Sequence, residues 1–158
     1  MRNYMLFLFL LGCSNVYSQN RYETDSIKAY SLINKETSSL KKSEWISIFD
    51  DTGKIVIIWK ERGKHRAIKL YYKGKDCKKS KRQKLLKDDK SNIDNLLGNP
   101  EIISEINNDR CNEMVHSFNK VNIDITLNDK VYHNSFYSHC EQKNQLKSLM
   151  SLYFNLRN

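Results

Sequence analysis

Residues 45–59 read Trp45-Ile46-Ser47-Ile48-Phe49-Asp50-Asp51-Thr52-Gly53-Lys54-Ile55-Val56-Ile57-Ile58-Trp59, and this stretch decides the fold class. Two runs of β-branched and aromatic residues flank a polar turn that ends in Gly53, where a positive φ is cheap. The pattern predicts a β-hairpin. A second turn around Gly63 and a third run, His65 to Tyr72, extend it to a three-stranded antiparallel meander.

Downstream, residues 73–87 hold eight basic residues and one acidic one. They read as a Lys-rich solvated segment and as the best candidate contact surface. Lys75, Lys78, Lys79, Lys81, Arg82 and Lys84 are its candidate anion contacts. Lysine outnumbers arginine there, and lysine is a point charge rather than a bidentate fork, so diffuse attraction is expected rather than shaped phosphate recognition. Trp45, Trp59, Tyr71 and Tyr72 on the neighbouring meander are most simply core residues. An aromatic outer face beside the basic segment would instead indicate contact with glycan or lipid headgroups.

A short helix follows. Ser91 and Asp94 match the S-x-x-D capping pattern, and Ile93, Leu96 and Leu97 form its apolar side. Gly98 is expected to end it in a left-handed conformation, and Pro100 blocks its continuation. A second meander is expected over about 113–138. Met114–Phe118 is its first strand. In the second, Val121, Ile123, Ile125 and Leu127 alternate with Asn122, Asp124 and Thr126, which predicts one wet face. Asn128-Asp129-Lys130 turns the chain into Val131–Tyr137.

Helices are expected at both ends. Thr24 and Asp25 can cap one over 24–40, where Ile27, Tyr30 and Ile33 fall at helical spacing, with Ala29 and Leu32 nearby. Leu146, Leu149, Met150, Tyr153 and Leu156 line one stripe of the other. The fold class is therefore α+β, antiparallel meanders covered by about three helices. The order of helix, three strands, helix, three strands, helix suggests a weak internal duplication, with no residue-level repeat behind it.

At 158 residues, 39% hydrophobic and 28% charged, the chain suits one domain with one core. No stretch approaches the ~18 apolar residues of a membrane span. Residues 1–18 read as a bacterial signal peptide, with Arg2 as the charged start and Met5 to Leu11 as the apolar core. Two processing sites compete. Val16-Tyr17-Ser18 suits cleavage after Ser18. Leu10-Leu11-Gly12-Cys13 suits lipidation of Cys13, which would then begin the mature chain. The short leader that Cys13 implies favours Ser18. The mature domain is then 19–158, and loss of Arg2 lowers the formal charge from +9 to +8.

That charge keeps a small domain soluble and draws it to anions. Outside the cytoplasm these are lipid headgroups, lipopolysaccharide, other envelope polymers or an acidic protein face; nucleic acid is not an expected partner. Export also permits a disulfide. Cys111 and Cys140 bracket the second meander and are the candidate pair, with Cys77 left over; Cys77 with Cys111 is the rival pairing.

The stretch from Ser91 to Tyr137 resembles the SmpA/OmlA (BamE-like) module of small envelope lipoproteins. Leu97-Gly98-Asn99-Pro100 matches its helix-ending motif, Val121 to Leu127 its alternating strand, and Asn128-Asp129-Lys130 the turn before Val131. The family's preceding helix is replaced here by the Lys-rich segment, and the first meander is additional. The resemblance implies a non-enzymatic, protein-contacting envelope component and carries over no catalytic residue.

No nucleophile elbow, zinc-protease, phosphate-loop, dinucleotide or C-x-x-C motif occurs. His116, His133, His139 and Cys140 are residue types that hold zinc or copper, but they read more simply as exposed strand histidines beside a disulfide. Asp124 could pair with a histidine as an acid–base couple, yet its place in the alternation puts it on the wet face. The sequence thus points to an exported protein that is not an enzyme and needs no cofactor. It is expected to bind an unknown envelope protein, an inhibitor- or immunity-type role being a variant, or alternatively an anionic polymer or lipid surface.

Overall fold

The computed structural model describes residues 26–40, 43–73, 76–79, 82–106, 119–138 and 146–157. Helix α1 spans 26–40. Strands β1 (Glu44–Asp50), β2 (Lys54–Glu61), β3 (Lys64–Lys73) and β4 (Asp76–Lys79) follow, then helix α2 (Lys87–Gly98) and the 3-10 helix η1 (Pro100–Glu105). Strands β5 (Lys120–Leu127) and β6 (Lys130–Tyr137) precede helix α3 (Lys147–Arg157). The fold is α+β, with one antiparallel sheet in the order β4-β3-β2-β1-β5-β6.

The meander read at residues 45–72 is present, with Trp45 opposite Trp59 and Ile55 opposite Leu70. β5 and β6 do not form a separate sheet. β1 pairs with β5 from Glu44 opposite Leu127 to Asp50 opposite Val121. Each hairpin alone would leave a row of unpaired backbone N–H and C=O groups, and joining the two edges satisfies both rows. Met114–Phe118 lies outside the described residues.

Side chains alternate across the sheet. On one face Phe49, Ile55, Ile57 and Leu70 pack beneath Ala29 and Ile33 of α1. On the other, Ile46, Ile58, Ile123, Ile125 and Phe136 pack with residues of α2, η1 and α3, among them Ile93, Ile103 and Leu149. Covered on both sides, β2 is buried at every position from Ile55 to Trp59. That explains why the run is continuously apolar rather than alternating.

Several local expectations are corrected. Ala29, Ile33 and Thr37 form the buried line of α1, whereas Ile27 is 66% exposed; two residues from Ala29, it sits on nearly the opposite side of the helix. Thr24 and Asp25 lie outside the described residues. α2 starts four residues before Ser91. Its first turn is held by the buried Asp89, whose carboxylate accepts the Leu86 N–H at 2.8 Å and the Asn155 side-chain amide at 2.9 Å. Gly98 ends α2 without a positive φ, Asn99 follows at φ −140° and ψ 70°, and Pro100 opens η1. The stripe read for the last helix is borne out, with Leu152 added to it.

The hairpin between β1 and β2 depends on two residues. Gly53 has φ +84°, and a Cβ there would meet the Tyr72 carbonyl oxygen at 2.3 Å. Asp50 is buried and accepts the backbone N–H of Thr52 at 3.0 Å, the Thr52 hydroxyl at 2.5 Å and the Lys54 N–H at 3.3 Å. Its other oxygen accepts the Tyr153 hydroxyl at 3.1 Å, which ties the turn to α3.

Candidate functional site

The Lys-rich segment is built into the sheet. Asp76–Lys79 forms β4 against β3, and beyond it the Gln83 N–H donates to the Ala67 carbonyl at 3.0 Å. The described backbone of the segment, at 76–79 and at Gln83, therefore lies along the outer side of β3. Lysine on an edge strand also has a protective role, because its charge discourages other strands from pairing there.

Of the six candidate anion contacts, Arg82 and Lys84 are exposed, Lys78 and Lys79 belong to β4, and Lys75 and Lys81 lie outside the described residues. Lys87 and Lys90 continue the exposed cations onto α2. Leu86 at the head of α2 is exposed as well.

On the sheet face that carries α2 and α3, α3 reaches the β1–β2 turn, where its Tyr153 and Leu156 line a small apolar pocket with Asp50, Lys54 and Val56; β3 and β4 follow outward from β2 in the sheet. Tyr71 of β3 is opposite Lys54 of β2 on one side and position 78 of β4 on the other. Lys69 lies two residues from Tyr71 on the same face. Tyr71 is 41% exposed, which corrects its reading as a core residue; Trp59 and Tyr72 are buried and Trp45 is half-buried. Burial holds the Lys69 ammonium below its ordinary pKa, and the neighbouring Lys54 charge adds to the effect. Two lysines are thus close enough to feel each other beside an exposed phenol ring.

A second cluster lies on the α1 face. Asn122, Asp124 and Thr126 are buried there, so the expected wet face of β5 is covered. Asp124 is opposite His133 in the register, and its carboxylate accepts the His133 Nδ1–H at 2.5 Å and the Ser47 hydroxyl at 3.4 Å. The Tyr30 hydroxyl of α1 stands 3.3 Å from the same ring nitrogen. Burial raises the Asp124 carboxyl above its ordinary range; the bonds from His133, Ser47 and Tyr30 pull the other way without cancelling it. These partners make the buried aspartate tolerable, since a buried carboxylate without donors is strongly disfavoured.

The His133 side chain is 52% exposed. With Nδ1 engaged by Asp124, Nε2 is the ring nitrogen that does not meet the carboxylate. The residue borders a shallow groove of about 290 Å³ with Glu101, Ile103, Ser104 and Tyr132. Lys130 lies 4.0 Å from Glu101 and 4.5 Å from the centre of the Tyr132 ring. Serine, histidine and aspartate meet here, but in the wrong order for nucleophilic relay. The Ser47 hydroxyl bonds the carboxylate, whereas an activated serine must meet the far imidazole nitrogen.

Asp94, read as a helix cap, instead bonds His65 Nε2 at 2.8 Å and pairs with Lys60, so it ties α2 to β2 and β3. These two bonds hold its carboxyl below the ordinary range. Cys13, Ser18, Cys111, Cys140, His116 and His139 lie outside the described residues, and Cys77 is placed only as part of β4. Among the described residues no group of three or more His, Cys, Asp or Glu is arranged to hold a metal. No described helix is long and apolar enough to cross a membrane.

Sequence reading missed Lys54 and Lys69, whose place depends on strand register; of the Tyr30–Asp124–His133–Ser47 cluster it raised only an Asp124–histidine couple, and set Asp124 on the wet face. The one usable signal was the even spacing of His133 across the Asn128–Asp129 turn from Asp124, which sets them opposite each other in a two-residue hairpin. The chain matches no family model, no curated protein and no solved structure. Its function must be argued from the site itself.

Proposed function

We propose that this chain is an exported cell-envelope protein that works by binding rather than by chemistry, and that the basic flank of its sheet is its contact surface for an anionic partner. The observation that carries the reading is Lys54, Lys69 and Tyr71 on one face of β2 and β3, with the exposed Arg82 and Lys84 where the chain meets β3 again at Ala67 and the exposed Lys87 and Lys90 following them in sequence. Export rests on the leader read in residues 1–18. The formal charge of +9 supplies the long-range attraction. Binding of this kind weakens as salt rises, because exposed charges are screened within about 10 Å at ~0.1 M ionic strength. The test is retention of the purified protein on an immobilised anionic polymer. Salt should release it, and Arg82→Gln with Lys84→Gln should weaken retention. Salt-insensitive retention, or none, would remove the reading.

The groove beside His133 favours a second reading, in which an envelope protein seats a polar side chain between η1 and β6. The resemblance of residues 91–137 to the SmpA/OmlA (BamE-like) module supports the same idea. Crosslinking in intact envelopes would then yield one stoichiometric partner, attached near Glu101 or Ser104.

A further inference from the structure

We propose that the strip formed by Lys54, Lys69 and Tyr71 is a docking face for an anionic phospholipid bilayer, with the tyrosine ring seated at headgroup level and the lysines reaching the phosphates around it. The inference rests on the reading that the basic flank is the contact surface, and it names the occupant.

Register sets the arrangement. Lys54, Tyr71 and position 78 form one row across β2, β3 and β4. Directly opposed residues on a sheet face hold their Cβ atoms about 5 Å apart, so Tyr71 stands between two lysine positions. Lys69 occupies the next row on the same face, about 7 Å along β3. The ring is 41% exposed although β3 lies inside the sheet with neighbours on both sides. An amphipathic ring with its polar tip in water is the side chain best suited to the boundary between headgroups and acyl chains. Lysine stems lie along apolar surface while their ammonium groups stay with the phosphates.

Charge complementarity selects the bilayer further. Beyond β4 the chain meets β3 again at Ala67, two residues from Lys69, and there carries the exposed Arg82 and Lys84, followed in sequence by the exposed Leu86, Lys87 and Lys90. A soluble polyanion would use the cations and gain nothing from Tyr71 or Leu86. A headgroup layer uses both.

The test is co-sedimentation of the full chain with vesicles of pure phosphatidylcholine and of phosphatidylcholine mixed with phosphatidylglycerol. Dextran sulfate in solution serves as a polyanion without a bilayer. Of the two vesicles, only the mixed ones are expected to bind; dextran sulfate is expected to bind through the cations alone. Each lysine near an anionic surface is worth roughly a five-fold change in partitioning, so Lys54→Gln with Lys69→Gln should weaken it on the order of 25-fold. Lys54→Arg with Lys69→Arg should restore it. Tyr71→Ser should weaken vesicle binding several-fold and leave dextran sulfate binding unchanged. Thermal melts of every variant show that the fold is kept. Dextran sulfate binding without vesicle binding, or vesicle binding indifferent to Tyr71→Ser, overturns the bilayer as occupant and leaves the basic flank as a polyanion site. Absence of both kinds of binding overturns the two readings together.

Discussion

Removing the Asp50 carboxylate should cost more stability than any surface charge in the molecule. Asp50 is 2% exposed and accepts four hydrogen bonds, three from the turn that follows it and one from Tyr153 of α3. A hydrogen bond to a charged group contributes ~1.5–3 kcal/mol net. Water can replace the carboxylate for part of the turn, because Thr52 is exposed. It reaches the Tyr153 end poorly, where Asp50 and Tyr153 are both buried. The total expected for Asp50→Ala is therefore about 3–5 kcal/mol, a large part of the ~5–15 kcal/mol that holds a domain folded.

Tyr153→Phe removes one of the four bonds and should cost about 1–2 kcal/mol. Because the two groups share a bond, the double variant should be less destabilised than the sum by about 1–2 kcal/mol. Urea unfolding followed by the fluorescence of Trp45 and Trp59 measures all three variants. A loss below about 1 kcal/mol for Asp50→Ala, or strict additivity in the cycle, would refute the view that one carboxylate joins the β1–β2 turn to α3.

The two glycines with positive φ among the described residues should respond differently to alanine. Gly53→Ala drives a Cβ against the Tyr72 backbone and should cost about 3 kcal/mol or more, whereas Gly63→Ala, with nothing within 4 Å, should cost only the ~1 kcal/mol of the left-handed conformation; thermal melts rank them. For Asp124 the folded pKa is raised by burial. The folded state then binds the proton more tightly than the unfolded one, so the contribution of Asp124 to stability is full below the ordinary aspartate range and is lost as pH rises through the raised value. Urea midpoints from pH 3 to pH 7 should show wild type losing ground to Asp124→Asn across that window; a constant gap would contradict the assignment.

The local elements of this fold are legible because their signals are local. Gly53 and Gly63 mark turns by their backbone freedom, and the runs around Ile48, Ile57 and Ile68 mark strands by branching. The joining of two hairpins into one sheet is not legible, since it depends on β1 meeting β5 and neither strand names its partner. The same blindness affects Asp124. An alternating strand shows which residues share a face, but not that Tyr30, Ser47 and His133 arrive on that face to make a buried carboxylate acceptable. Of the basic site, composition revealed the segment 73–87, while register alone adds Lys54 and Lys69 and turns Tyr71 outward.

The pairing of β1 with β5 has a kinetic consequence. Ser47 and Asp124 meet across 77 residues. A chain delivered amino-terminus first completes β1 to β3 long before β5 arrives. Contacts so distant in sequence close slowly. During that interval the outer margin of β1 is an unfinished template, open to the β5 of another molecule as readily as to its own. Refolding yield should therefore fall with protein concentration until β5 closes over β1, and a domain-swapped dimer is the natural by-product of a crowded start.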